Sequence, residues 1–143
     1  MKWSHVGLNC RDLAASEDFY TGLFGFRRAR AVPIGNGEEI VFLRRGDAYL
    51  ELFAARGEDA PPAAADGPTG AGVIRHLAFQ VDDLDEFMAR VNGTAPITLG
   101  PLGFDDIIPG WRAVWVSDPD GVVVEVSQGY RDAPVQEPAG PGR

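Results

Sequence analysis

Two histidines and two of the glutamates have the type and placing to do chemistry in this 143-residue chain. His5 and His76 are its sole histidines, and each stands in an extended stretch followed by an Asp-Leu pair, Asp12-Leu13 in one case and Asp83-Leu84 in the other. The same position of an internal repeat therefore carries both. Glu51 lies inside Tyr49-Leu50-Glu51-Leu52-Phe53, and Glu125 closes on Val126 after a run of three valines, Val122 to Val124. An ionised carboxylate in such apolar company is costly unless it is paired, protonated or bound to metal. Imidazole nitrogen and carboxylate oxygen suit Zn, Ni, Co, Mn or Fe(II), and two of each leave coordination open for water or substrate. The expectation is one divalent ion per site, ligated by His5, Glu51, His76 and Glu125.

Each ligand has a plainer reading by itself. A lone histidine in a strand is more often structural than metal-bound, and Glu51 could face solvent from an edge strand. The coincidence decides for metal, because both histidines occupy one repeat position and each half ends in a strand with one embedded glutamate.

The elements that must position these residues follow from periodicity. Alternation puts Trp3, His5, Gly7 and Asn9 on one face of the first strand, with Val6, Leu8 and Cys10 on the other. Ile74, His76, Ala78 and Gln80 repeat this opposite Leu77, Phe79 and Val81. After each Asp-Leu the period shifts toward 3.6, the mark of a helix. Asp12 caps the first helix, whose buried face is Leu13, Tyr20, Leu23 and Phe24, and Gly25 ends it. Asp83 caps the second, with Glu86 completing a capping box, a stripe of Leu84, Phe87, Met88 and Val91, and a stop at Asn92-Gly93. Further strands are expected near 27–34, 39–44 and 48–54, then near 97–99, 112–117 and 122–127.

Both halves thus read β-α-β-β-β, an α+β fold of two βαβββ modules pairing into a cupped mixed sheet with helices outside. One domain is expected over 1–130, with modules at 1–55 and 73–130. The Ala-, Pro-, Gly- and Asp-rich stretch 56–72 is a linker without a role in the site, and 131–143 a disordered tail.

Composition closes off other functions. A net charge of −8 opposes nucleic-acid phosphates. Cys10 is the single cysteine, so no internal disulfide forms, and no apolar run reaches membrane-spanning length. A cytoplasmic location is expected. Arg11, Arg75 and Arg112 offer cations to an anion, beside their plainer role as solvated surface. The segment Gly103 to Trp111 reads either as a mobile loop suited to a cationic aromatic ligand or as Phe104 and Trp111 covering the rim of the core.

His5 with Asp12-Leu13, Phe19-Tyr20 and Leu23-Phe24-Gly25-Phe26, then Glu51, His76, Asp118-Pro119-Asp120-Gly121 and Glu125, resembles the vicinal oxygen chelate superfamily of glyoxalases, bleomycin-resistance proteins and extradiol dioxygenases. The likeness spans residues 3–128, and its ligand order is closest to bacterial glyoxalase I. It implies a homodimer, with the ligands of one site drawn from two chains in many members. It also implies a small-molecule substrate and lyase or isomerase chemistry, in which the metal stabilises an enediolate while Glu125 moves the proton and Glu51 is its counterpart. The chain departs from glyoxalase I at Asn9 and Ala55, where that enzyme commonly carries glutathione-binding residues, so the likeness does not extend to the thiol carrier. The other readings it offers are a metal-free drug-binding resistance protein and an Fe(II) dioxygenase, which needs two histidines and one carboxylate.

Overall fold

The computed structural model describes residues 1–133; the C-terminal part of the expected tail, from residue 134 on, lies outside them. The elements run β1 (Val6–Cys10), α1 (Leu13–Phe24), β2 (Arg27–Gly35), β3 (Glu38–Arg45), β4 (Ala48–Ala54), β5 (Leu77–Gln80), α2 (Leu84–Val91), β6 (Ile97–Gly103), β7 (Arg112–Ser117) and β8 (Val123–Gln128). This is β-α-β-β-β twice. Each module closes its own four-stranded mixed sheet, ordered β1-β4-β3-β2 in the first and β5-β8-β7-β6 in the second. In both, the first strand runs parallel to the last while the other pairs are antiparallel.

The helices begin and end where side chains satisfy their free backbone groups. Asp12 Oδ1 accepts from the amides of Ala14 and Ala15, and Asp83 Oδ1 accepts from that of Glu86. Gly25, at φ 68°, closes α1 by donating its N–H to the Thr21 carbonyl while Phe26 donates to Tyr20. An L side chain in that left-handed region would be strained. Strand β6 runs past the expected stop at Leu99. Pro101 lacks an amide to donate, but β6 is the edge strand of its sheet and its ladder with β7 shifts register between Leu99 and Leu102, the places where a sheet accepts proline, so the strand continues.

One core joins the modules. It gathers Leu8, Val41, Leu43, Leu50 and Leu52 from the first and Phe87, Val114, Val116, Val124 and Val126 from the second. Phe24 at the end of α1 crosses the junction, its ring 4.9 Å from Phe79 and 5.7 Å from Phe87. Polar contacts reinforce the seam. Tyr20 donates its hydroxyl to Asp118 Oδ2, Ser16 donates to Asp120 Oδ2, and the Arg11 amide donates to Asp120 Oδ1, each at 2.9 Å. Asp118 also accepts the amides of Asp120 and Val122 within the Asp-Pro-Asp-Gly turn. Burial nevertheless lifts its carboxyl above the ordinary value, because desolvation outweighs those bonds. Burial likewise raises the Cys10 thiol, a free and enclosed residue.

Candidate metal centre

Register puts each histidine beside a glutamate of the strand next door. Gly7 of β1 lies opposite Glu51 of β4, and Ala78 of β5 lies opposite Glu125 of β8. Each histidine stands two residues earlier, on the face that alternation assigns away from the core. His5 Nε2 is 3.0 Å from Glu51 Oε2, and His76 Nε2 is 3.1 Å from Glu125 Oε2. The glutamates are the more enclosed partners, with side-chain exposures of 16% and 15% against 41% for His5 and 23% for His76. The repeated sequence position has become a repeated structural pair.

The four residues meet as two pairs and not as a quartet. Among the described residues, no three His, Cys, Asp or Glu side chains gather closely enough to hold an ion. Each pair has the right chemistry for half a site. Two donors bound about 2.1 Å from one ion and about a right angle apart stand about 3 Å from each other, the separation seen here. Resident metal sites draw three or four ligands from protein, so a single pair falls short and two pairs together suffice.

The histidines differ in what holds their other nitrogen. His76 Nδ1 is 2.9 Å from the backbone carbonyl of Asp66, in the connection expected to have no role. A carbonyl can only accept, so His76 Nδ1 donates there and Nε2 is the nitrogen turned toward Glu125, the one that would be left to bind an ion. The neighbourhood is braced: Asp66 pairs with Arg75, and Thr98 donates its hydroxyl to the Ala65 carbonyl at 2.6 Å. Gly67, at φ 110°, leaves no room for a Cβ, which would stand 1.7 Å from the Arg75 carbonyl oxygen. In the first half His5 Nδ1 faces the hydroxyl of exposed Ser4 at 2.9 Å, a partner able to donate or accept. Nothing in the aperiodic composition of residues 56–72 signals such a backbone contact.

An aromatic stands across from each glutamate: Phe42 opposite Glu51 and Trp115 opposite Glu125. Phe42 meets the His5 ring edge-on at 6.2 Å. Trp115 is buried with Ala113 and Val123, Leu99 and Phe104 packing against them. Phe104 stacks on Trp111 at 4.5 Å, and its amide donates to the Trp111 carbonyl. Of the two roles expected for 103–111, these contacts are those of rim covering. The indole N–H groups of Trp111 and Trp115 are buried without a partner. Arg11, Arg75 and Arg112 all find carboxylates, at Asp59 and Asp120, Asp66, and Asp85.

The fold and the paired histidines and glutamates define a class that comparison names. Residues 2–126 match the model of the Glyoxalase/Bleomycin resistance protein/Dioxygenase superfamily, and the chain belongs to that family. Human mitochondrial methylmalonyl-CoA epimerase is 30% identical over 83 residues, 57% of this chain and 47% of that one, so the match spans about half the length of this relative. The uncharacterized protein YaeR of Escherichia coli is 29% identical over 85% of this chain and 92% of its own. The crystal structure of a glyoxalase family protein from Enterococcus faecalis superposes with a TM-score of 0.67 at 30% identity, covering 88% of this chain and 96% of that one. No helix among the described residues is long and apolar enough to cross a membrane.

Proposed function

We propose that the chain is a metal-dependent, glyoxalase-like enzyme acting on a small molecule, and that its complete site forms between two copies. His5 and Glu51 come from one copy and the partner's His76 and Glu125 from the other. The observation that carries this reading is the matched half-site, a nitrogen 3.0 or 3.1 Å from an oxygen at the same position of each module. Strands β1 and β5 both lie at a sheet edge, each next to its histidine, with exposed Trp3 and Ile74 alongside. An unpaired edge flanked by apolar side chains invites another chain, and a two-fold arrangement satisfies both edges at once.

Bound by such a set, a divalent ion supplies Lewis acidity toward neighbouring substrate oxygens. The chain's own groups do the rest. Glu125 takes a proton from the carbon beside those oxygens and returns it, and Glu51 serves the opposite side. The apolar floor of Trp115, Ala113 and Val123 keeps water from Glu125, which strengthens every charge interaction there.

The test is complementation. Untagged protein is expected to hold close to one ion per chain, and His5→Ala or His76→Ala to hold little. In a mixed dimer of the two variants one site is doubly broken and the other intact, so about half the metal returns. Metal-free wild-type protein overturns the reading, and a mixed dimer without metal places the quartet within one chain. Failure to convert methylglyoxal adducts of several thiols removes the glyoxalase step alone. Ferrous-dependent oxygen consumption points to a dioxygenase instead.

A further inference from the structure

We propose that the open face of the first module carries a subsite for a compact oxyanion, a carboxylate or phosphate group of the substrate, formed by Arg27 and Arg44 beside the His5–Glu51 pair. The proposal extends the enzyme reading by naming what its substrate must carry.

The chain is acidic overall, yet Arg27, Arg28, Arg30, Arg44 and Arg45 crowd onto the β2–β3 hairpin. Register sorts them by face. Arg28 lies opposite buried Leu43 and reaches Glu17 on α1, which holds the Glu17 carboxyl below its ordinary value. It belongs to the helix side. Arg30 lies opposite Phe42, and Phe42 opposite Glu51, so Arg30 shares the metal-facing side. Arg44, two residues beyond Phe42, shares it too, and Arg27 lies directly across from Arg44.

Two arginines directly opposed on one face repel each other, which a fold ordinarily avoids. Among the described residues, Arg27, Arg30 and Arg44 form no ion pair with an acid. Arg44 is nevertheless held in place. Its Nε donates to the Gly46 carbonyl at 2.7 Å and its guanidinium lies 5.4 Å over the Tyr49 ring, leaving both terminal amino groups free. A planar, pre-positioned guanidinium of this kind suits bidentate binding of a carboxylate or phosphate.

The space is present as well. Arg44 lines a cavity of about 570 Å³ with His5, Phe42, Tyr49 and Trp3, where Asp47 is the acidic neighbour. It also lines a second one of about 640 Å³ with Arg27, Arg28 and Gly46, where the strand ends bring both faces together. Strands are spaced about 4.8 Å apart and residues about 3.4 Å along them, so the backbones of Arg44 and Arg27, one and two strands from Glu51 and two residues along, stand about 8 and 12 Å from it. An oxyanion bound between them lets the other end of a small substrate reach the His5–Glu51 pair.

The experiment uses full-length protein stripped of metal, titrated at low ionic strength with malonate and separately with inorganic phosphate, and read by calorimetry and by arginine Nε–H NMR signals. Saturable binding is expected, weakened about tenfold or more in Arg44→Met and Arg27→Met. Arg90→Met, an equal loss of charge on α2, is expected to leave it within about twofold. Because opposed arginines repel, Arg27→Met should not lower the melting temperature, which excludes misfolding as the cause. Tighter malonate marks the group as a carboxylate and tighter phosphate as a phosphate. No binding of either, or equal weakening by Arg44→Met and Arg90→Met, overturns the proposal. Metal-free protein is used throughout, so failure of the metal reading leaves this result standing.

Discussion

The two modules share a strand order, a helix position and a His–Glu pair, and differ in the face around that pair. In the first half it is open and basic, with Arg27, Arg30 and Arg44 in no ion pair among the described residues and His5 steadied by exposed Ser4. In the second it is apolar and covered, with Trp115 and Ala113 buried beneath Phe104 and His76 held by the carbonyl of Asp66. The shared features are those the backbone register enforces, and the differences lie in side chains outside the pair. If two copies join half-sites, a substrate meets cations on one wall and apolar surface on the other.

The sharpest way to break the comparison is at the seam. Phe24, almost fully buried, touches Phe79 and Phe87 of the other module. Phe24→Ala should cost about 3–5 kcal/mol and shift one cooperative unfolding transition for the whole chain. Two separate transitions in calorimetry would show that the halves fold independently.

A second probe compares the supports of the two histidines. Gly67→Ala must push the connection away from Arg75 and so release the Asp66 carbonyl from His76, lowering metal affinity about 10- to 100-fold. Ser4→Ala should change it by less than about threefold, because solvent replaces the hydroxyl. Competition with a chromophoric chelator reads both, and equal losses would erase the distinction.

The helix caps predict a smaller asymmetry. Asp12 serves two amides and Asp83 one, so Asp12→Ala should destabilise more than Asp83→Ala, each by about 1 kcal/mol, in urea denaturation.

The smallest effect is a difference of sign with pH. Asp118 has a raised carboxyl pKa from burial, so its favourable contribution is complete below the unfolded value of 3.8 and fades as pH rises through the folded one. Glu17 has a lowered pKa, chiefly from its hydrogen bonds with Arg28, so its contribution is complete above 4.5 and fades as pH falls through the folded value. Denaturation midpoints from pH 3 to 7 should show Asp118→Asn gaining on wild type as pH rises and Glu17→Gln losing ground. Parallel slopes would remove the contrast.

Much of this was legible beforehand. Strict alternation in His5 to Cys10 and Leu77 to Val81, with Asp caps and glycine stops, marks both modules because these signals are local. The repeat singled out His5 and His76, and the valine and leucine surroundings singled out Glu51 and Glu125. Strand β6 was read short since Pro101 masks a strand that an irregularity rescues. The faces of the arginines on β2 and β3 are not legible in the chain, because period alone does not say which of Arg27, Arg28 and Arg30 share a face when a register shift falls between them.

The modules and the equivalence of the two histidine–glutamate pairs are readable from the chain alone, since each depends on residues close along the chain or on one repeated pattern. Folding alone brings His5 to Glu51 and His76 to Glu125 as two separate pairs. Each pair follows from strands adjacent within a module, whereas the distance between pairs depends on how α1 packs its aromatic end against β5 and α2. The Asp66 carbonyl belongs to that second kind as well: every residue has a carbonyl, so only folding tells which one a histidine will find.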